Sequence, residues 1–220
     1  MENDRPVIAL VRYMIIQAAR DGEIQLVNQP HEKLRQDIIR WMHDLAKSEW
    51  QAAIQSEHQP TLIQAAMRFV DEDEVELAIV MYATAVEHWL NGMLEIGLKR
   101  RGEQLDQTTE RGSLEHKLTT RWPELLGVEF PDKLQHSILA LARARNNFVH
   151  YKWPTHSEYQ HDTHLTRTTV IARDAPQILA ALRDLEDSIV FNGERERLDR
   201  ILDEMELFDV RAPDSADESA

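Results

Sequence analysis

The sequence predicts an all-α protein, and three observations support that class. Apolar residues recur at three- and four-residue intervals along most of the chain, which is the period of an amphipathic helix. Seven glycines and eight prolines are few for 220 residues, and this scarcity favours long helices over a turn-rich β architecture. The balance of 42% hydrophobic and 29% charged residues is typical of a globular chain with a buried core.

Three helices are expected at the start of the chain. Apolar residues with a helical period cover 6–20 and 31–56, and Glu32 falls in the first turn of the second helix, where a carboxylate is favoured. Pro60 fits the first turn of a third, shorter helix that continues through Val70. No motif in this stretch indicates chemistry, so we expect these helices to pack on a domain or to offer a partner surface.

The clearest periodic segment follows this extension. Acids stand at its start, from Asp71 to Glu74, and bases at its end, from Lys99 to Arg101, as expected for side chains that complement a helix dipole. This placement explains the four acids more simply than a metal site does. The apolar residues that repeat at helical intervals are Ile79, Tyr82, Ala83, Val86, Trp89, Leu90 and Met93. The pattern predicts one long, buried helix.

Two further helices are marked by local signals. Ser113 is suited to cap a short helix, because its hydroxyl can accept a hydrogen bond from the first turn. Pro131 is suited to the first residue of the next helix. That helix should end at Trp153-Pro154, because the residue before a proline avoids the α conformation. Its apolar line consists of Leu134, Ile138, Leu141 and Phe148 or Val149.

The segment beyond this helix is expected to change character. Residues 154–172 show no clean helical period and predict a loop, with a short extended piece over 167–172. A final core helix is expected over 175–191, followed by a break at Gly193 and a charged helix through Leu207. The last ten residues are polar and acidic, so we expect them to be disordered.

Charge is distributed unevenly along the chain. Residues 1–98 carry 8 Lys and Arg against 16 Asp and Glu, and residues 174–220 carry 5 against 14. Residues 99–173 carry 12 against 9, so they form the one mildly basic zone of a chain with a formal charge of −14. Because an acidic surface repels nucleic acid at long range, we expect any nucleic acid to bind at this zone.

The chain lacks cysteine and lacks a membrane or secretory segment, and both features bear on its compartment and on the chemistry open to it. The chain has no cysteine, which excludes disulfides, thiolate metal sites and a cysteine nucleophile, and which fits a reducing compartment. The apolar patch from Val7 to Ile16 is interrupted by Arg12 and is too short to span a membrane, and no secretory cleavage signal follows it. These features predict a cytoplasmic protein without a membrane partner.

The basic zone contains the hexamer RNNFVH, residues 145–150. Histidine transfers protons near neutral pH, and arginine presents a planar fork that matches phosphate oxygens. Together they can cleave RNA without a metal: a base takes the proton of the ribose 2′-OH, the oxygen attacks the adjacent phosphorus, and the arginine stabilises the developing charge. The spacing alone is weak support, because it recurs in the chain. It is found from Arg145 to His150, from Arg143 to His150 and from Arg111 to His116.

At this hexamer the chain resembles the HEPN superfamily of all-α domains, many of which are RNases. Family members carry Arg-x4–6-His near the end of a core helix, with a polar residue after the arginine, and Asn146 takes that place here. Upstream, residues 77–94 look like the first core helix of the family, including its acidic Glu87. Residues 113–118 resemble the short helix between the two. The resemblance covers about 72–192.

The resemblance implies roles for the motif residues. Arg145 and His150 would be the catalytic pair, Asn146 would position the motif or the scissile phosphate, and two copies would face each other as a homodimer around a composite cleft. On a regular helix Arg145 and His150 lie about 140° apart in projection, whereas Arg143 and His150 are i, i+7 neighbours. Either the helix loosens near His150, or Arg145 reaches the site from the side, or Arg143 shares or replaces its role. The candidate substrate-binding residues are Arg143, Asn147, Tyr151 and Lys152.

Non-catalytic interpretations of these residues stay open. His150 could be a packed histidine bonded to a backbone carbonyl, with Arg145 in a salt bridge to Glu87. The segment 161–164 holds two histidines and an aspartate, which are frequent zinc ligands, but a polar loop explains them equally well. We therefore expect no metal and no cofactor.

Taken together, the sequence predicts a HEPN-like antiparallel helical bundle over 71–193. An N-terminal helical extension is expected over 1–70, and a charged helix with a disordered acidic tail over 194–220. The predicted function is a metal-independent endoribonuclease that acts on RNA as a toxin or defence effector, with an antitoxin or a nucleotidyltransferase-type protein as a candidate partner. The alternative is a non-catalytic HEPN-like interaction module that binds a nucleotidyltransferase-type or regulatory partner. The intact Arg, Asn and His favour the enzyme, and the acidic balance favours the module.

Overall fold

The computed structural model describes residues 5–47, 58–103, 112–150 and 158–205, and all regular structure in these ranges is helical. The all-α prediction is therefore confirmed. In chain order the helices are α1 (Arg5–Asp21), α2 (His31–Lys47), α3 (His58–Asp71), α4 (Val75–Arg100), α5 (Leu114–His116), α6 (Trp122–Leu126), α7 (Asp132–Val149), α8 (Glu158–Glu186) and α9 (Arg195–Glu204). Two π-helical turns accompany them: π1 (Lys117–Arg121) joins α5 to α6, and π2 (Asp187–Phe191) follows α8. Among the described helices, none has the length and apolar character needed to cross a membrane.

Helix starts agree with the prediction where a single residue beside the helix marks them. Ser113 caps α5, because its Oγ accepts a hydrogen bond from the backbone N–H of His116 at 3.2 Å. Pro131 directly precedes α7 and has an extended backbone. α7 ends at Val149 with His150 as its C-cap, and the predicted helix beyond 150 lies outside the described residues. The predicted end of α2 beyond Lys47 and the last ten residues of the chain also lie outside them.

The prediction for residues 154–172 is wrong over 158–172, the part of this segment that the structure describes. A loop with an extended piece over 167–172 is expected there, but α8 is one helix that includes this piece, and it begins well before the predicted start at 175. Four consecutive β-branched residues lower helix propensity by only a few tenths of a kcal/mol each. Burial along one side of the helix outweighs that cost. The buried residues at helical spacing are Thr168, Ala172, Ala175, Leu179 and Leu182.

Contacts divide the described residues into two compact units. Unit 1 holds α1, α2, π2 and α9, and unit 2 holds α3 to α8 up to Leu185. This division differs from the predicted ranges 1–70, 71–193 and 194–220. The first difference arises because α3 packs along α4, so that α3 joins unit 2. The second arises because α9 contacts α1, so that the N-terminal and C-terminal helices form one unit.

Unit 1 combines an apolar core with ion pairs that join α1 to α9 and to Glu186, the last residue of α8. Arg12 donates a hydrogen bond to Asp199 at 3.0 Å and also pairs with Asp203. Arg20 pairs with Glu186 at 3.2 Å. Because partly exposed ion pairs contribute only about 0–1 kcal/mol each, the apolar core carries most of the stability. That core includes Ile15, Leu34, Ile38, Leu198 and Ile201.

Unit 2 is organised around α4, which contacts α3, α6 and α7. A helix that is apolar on most sides is stable only when other elements surround it, and α4 meets that condition. Its buried residues include Ala78, Tyr82, Val86, Met93 and Leu94. The prediction of one long buried helix is confirmed.

Aromatic rings and one glycine fix the contact between α4 and α6. Trp122 stacks on Trp89 with ring centroids 5.7 Å apart and planes inclined by 25°, and it meets Phe130 edge to face at 4.8 Å. α4 lies close to α6 at Gly97, where a Cβ would lie 2.8 Å from the Cβ of Leu125. The two helices can therefore pack at this distance only because residue 97 has no side chain.

Tyr82 gives a prediction for alkaline pH. Burial, and to a smaller extent the negative charge of Asp71, raise the pKa of Tyr82 above its ordinary value of 10.0. Because the folded-state pKa lies above the unfolded value, the stability from the neutral phenol is complete below about pH 10 and is lost as the pH rises through the folded-state pKa. We expect the free energy of unfolding to fall above about pH 10, and Tyr82→Phe to remove part of that slope. Urea denaturation of both proteins at about pH 8 and about pH 11 measures the difference. Identical alkaline slopes for the two proteins would contradict the prediction.

Candidate functional site

Helix α7 carries the RNNFVH hexamer in its last turns, and its two faces differ in character. With about 100° of rotation per residue, residues 134, 138, 141, 145 and 148 lie along one line of the helix. Ile138 and Leu141 on this line are buried, and Leu134 and Phe148 are half-buried. This line is the face that packs into unit 2, and Arg145 is part of it.

Arg145 pairs with Glu87 of α4. Its Nη2 lies 3.4 Å from Oε2 of Glu87, and the two side chains are 29% and 39% exposed. The Nε of Arg145 is buried and has no hydrogen-bond partner within the described residues. A long, partly exposed pair of this kind contributes on the order of 1 kcal/mol or less. The salt bridge considered as an alternative in the sequence analysis is thus present.

The opposite face of α7 is polar and open to solvent. Arg143, Asn146, Asn147 and His150 are all exposed. Arg143 and His150 differ by seven residues, or about 20° less than two full turns, so they lie on one line with Asn147 close to it. The alternative of a packed histidine does not describe His150, because its side chain is exposed.

The backbone around His150 keeps these side chains in register. The N–H of His150 donates to the carbonyl of Asn146 at 3.1 Å, which is the bond of a regular α turn. His150 is the C-cap, and its backbone leaves the helical conformation only after that bond, at φ −99° and ψ 13°. The helix therefore does not loosen between Arg145 and His150, and the projected angle between them stays near 140°.

The predicted site residues are brought together in part. Arg143, Asn146, Asn147 and His150 share the exposed end of α7, whereas Arg145 lies on the packed face. Tyr151 and Lys152 lie outside the described residues, so their predicted roles stay predictions.

Arg143 is the one cationic side chain in the last two turns of this exposed face. The residues three and four positions from it are Leu139, Ala140, Asn146 and Asn147, so no carboxylate lies one turn away. Within the part of the chain that the structure describes, Arg143 has no ion pair. The C-terminal end of a helix carries partial negative charge, so an anion that binds here needs a cationic side chain such as this one.

Two polar residues of unit 2 were not predicted as site residues. His136 is exposed seven residues before Arg143, and its Nδ1 lies 2.7 Å from the carbonyl oxygen of Asp132. Lys117 of π1 is only 1% exposed, and its Nζ donates to Oδ1 of Asn91 at 2.8 Å. The seven-residue repeat of 136, 143 and 150 is visible in the sequence, but the burial of a lysine is not.

The described residues contain no group of three or more histidines and carboxylates that could hold a metal ion. The side chains of 161–164 lie outside the described part of the chain, and the zinc interpretation of that segment is untested. The arrangement at the end of α7 can offer hydrogen-bond donors, one permanent positive charge and one imidazole to an anionic ligand.

We compared the chain with protein-family models, with curated proteins and with solved structures. None of the three comparisons finds a match. The resemblance to the HEPN superfamily therefore stays a prediction from the hexamer and its neighbouring helices.

Proposed function

We propose that the protein is a metal-independent endoribonuclease of the HEPN type. The observation that carries this proposal is the exposed group of Arg143, Asn146, Asn147 and His150 at the end of α7. It presents an imidazole and donors suited to phosphate on a chain whose net charge of −14 opposes nucleic acid elsewhere. A toxin or defence role in the cytoplasm, and an antitoxin-type partner, belong to the proposal through the family resemblance alone.

The chemistry needs one group that accepts a proton and one that donates a proton. Neutral His150 would take the proton of a ribose 2′-OH as that oxygen forms a bond to the adjacent phosphorus. An arginine of α7 would stabilise the charge on the phosphate oxygens. The bond from phosphorus to the 5′-oxygen breaks, and this oxygen takes a proton from an imidazolium, which leaves a 2′,3′-cyclic phosphate and a free 5′-hydroxyl. In the proposed homodimer the second imidazolium is the partner's copy of the same histidine.

The test is incubation of the purified protein with total RNA in EDTA, beside His150→Ala and Asn146→Ala. We expect the wild type to cleave RNA and to leave 2′,3′-cyclic phosphate ends. His150→Ala should lose activity by about 10²–10⁴-fold, because general acid–base groups contribute on that order. His150 is exposed, so the variant should fold normally, and circular dichroism checks this. A wild type that cuts no class of RNA would overturn the proposal.

A second function is favoured by one observation. Arg145 is the arginine that a polar residue follows, as in the family pattern. It lies on the packed face and pairs with Glu87. A helical interaction module that binds a nucleotidyltransferase-type or regulatory protein would need that arginine only for packing. A wild type that is silent on RNA, but that forms a stoichiometric complex with a purified protein of this type, would favour the module.

A further inference from the structure

Two arginines satisfy the spacing to His150, and they differ in their surroundings. Arg143 and Arg145 are two positions apart on α7, so they point in nearly opposite directions, about 200° apart around the axis. Arg145 belongs to the packed line and is bonded to Glu87 at 3.4 Å. Arg143 is exposed and, among the described residues, has no ion pair.

The two arginines differ in how easily they can reach a phosphate beside His150. A guanidinium at 145 would have to leave Glu87 and cross about 140° of the helix surface to meet a phosphate held by His150. A guanidinium at 143 needs no such movement, because its position differs from that of His150 by about 20°. The regular bond from His150 to Asn146 keeps this difference fixed at the end of the helix.

Arg143 and His150 lie on the same exposed line of α7, so both can contact one bound phosphate group. Seven residues of helix separate their Cα atoms by about 10.5 Å along the axis. Helical side chains tilt toward the N-terminus, so the imidazole of His150 leans toward Arg143, and the long, flexible arginine has to fold back to contact the same phosphate. Asn147 lies between them, four residues after Arg143 and three before His150, and its amide can donate a hydrogen bond to the same anion. No carboxylate stands one turn from either end of this array to compete with the phosphate: the residues three and four before His150 are Asn147 and Asn146.

We infer that Arg143, and not Arg145, binds the scissile phosphate beside His150, with Asn147 as a second donor. Arg145 has a structural role instead, because its ion pair with Glu87 joins α7 to α4 on the packed side of the helix. This inference rests on the proposed function, because a scissile phosphate exists only if the protein cleaves RNA.

The matched test compares Arg143→Ala, Arg143→Lys, Arg145→Met and Glu87→Gln in steady-state cleavage of RNA in EDTA. Arg143→Ala should lower kcat/KM by about 10²-fold, mainly through kcat, because the arginine binds charge that develops in the transition state. Arg143→Lys should recover part of that loss, since lysine keeps the charge but not the fork. Arg145→Met and Glu87→Gln should stay within about threefold of the wild type in kcat/KM.

Thermal unfolding supplies the readout for the structural role. Arg143→Ala should leave the unfolding midpoint within about 2 °C of the wild type, as expected for an exposed residue. Arg145→Met and Glu87→Gln should each shift it, and the double variant should shift it by less than the sum of the two, because both remove the same contact. If Arg145→Met does not fold, Glu87→Gln alone carries this comparison.

Binding to an RNA that lacks the attacking 2′-OH separates the inference from the proposed function. Arg143→Ala should weaken the Kd and reduce the slope of log K against log salt by about one unit, whereas Arg145→Met should leave that slope unchanged. Cleavage abolished by Arg145→Met and kept by Arg143→Ala would overturn the inference and leave the RNase proposal in place. A wild type that binds this RNA through Arg143 but never cleaves RNA would overturn the RNase proposal and reduce the inference to a phosphate contact. A wild type that neither binds nor cleaves RNA would overturn both.

Discussion

Replacement of Trp122 by alanine is expected to lower the free energy of unfolding of unit 2 by about 3–5 kcal/mol. Trp122 is fully buried, stacks on Trp89 and meets the edge of Phe130. Its loss leaves a cavity between rigid helices, which cannot close completely, so the missing contacts are not replaced. Urea denaturation followed by circular dichroism should show a lower midpoint with an unchanged slope.

Two variants serve as controls for this prediction. Trp122→Phe keeps a ring and removes an indole N–H that has no hydrogen-bond partner within the described residues, so we expect a smaller loss, about 1–2 kcal/mol. Trp41→Ala removes the same kind of side chain from a half-buried position in unit 1, where the indole donates to Glu23 at 2.8 Å. It should cost less than Trp122→Ala, because less area returns to water. Equal midpoints for Trp122→Ala and the wild type would mean that the stacked core is absent in solution.

Gly97→Ala is expected to destabilise unit 2 by about 1–3 kcal/mol, although alanine is the better helix former. The added Cβ would lie 2.8 Å from the Cβ of Leu125 and 3.2 Å from its carbonyl oxygen. Neither atom can move without moving α6, so the clash should outweigh the gain of about 1 kcal/mol that alanine brings within a helix.

A series at position 97 decides the sign of this effect. Stability should fall in the order Gly, Ala, Val if crowding dominates, whereas helix propensity alone places alanine above glycine. Gly92 lies five residues earlier in α4 and is half-buried rather than fully buried, so Gly92→Ala gives a comparison for the same substitution in the same helix. An increase in the urea midpoint for Gly97→Ala would show that α4 and α6 are farther apart than the structure places them.

Much of the helical structure could be predicted because its signals are local. The charges at both ends of α4 and the hydroxyl of Ser113 act within one turn, and a single sequence displays them fully. α8 could not be predicted, because its β-branched run at 168–171 is tolerated only through burial of Thr168 and Ala172 against other elements. The grouping of α9 with α1 could not be predicted either, because ion pairs between residues far apart in sequence leave no periodic pattern.

In the candidate site, too, the local features could be predicted and the packing could not. The presence of Arg143, Asn146, Asn147 and His150 on one helix could be predicted, and so could the angles between them, because helix geometry fixes both. Which face of α7 packs against α4 is a tertiary property. The ion pair of Arg145 with Glu87 depends on that packing, and the sequence presents it only as one of two options.

The assembly of unit 1 from distant segments has a consequence for the order of folding. Arg12 and Asp199 lie 187 positions apart, so α1 leaves the ribosome long before the helix that pairs with it. At about 5–20 residues per second, the interval is on the order of 10–40 s. During this time α1 and α2 lack the C-terminal part of the unit in which Ile15 and Leu34 are buried, whereas the segments of unit 2 are completed earlier. The nascent chain is therefore most exposed to aggregation, and most in need of a chaperone, at its first two helices.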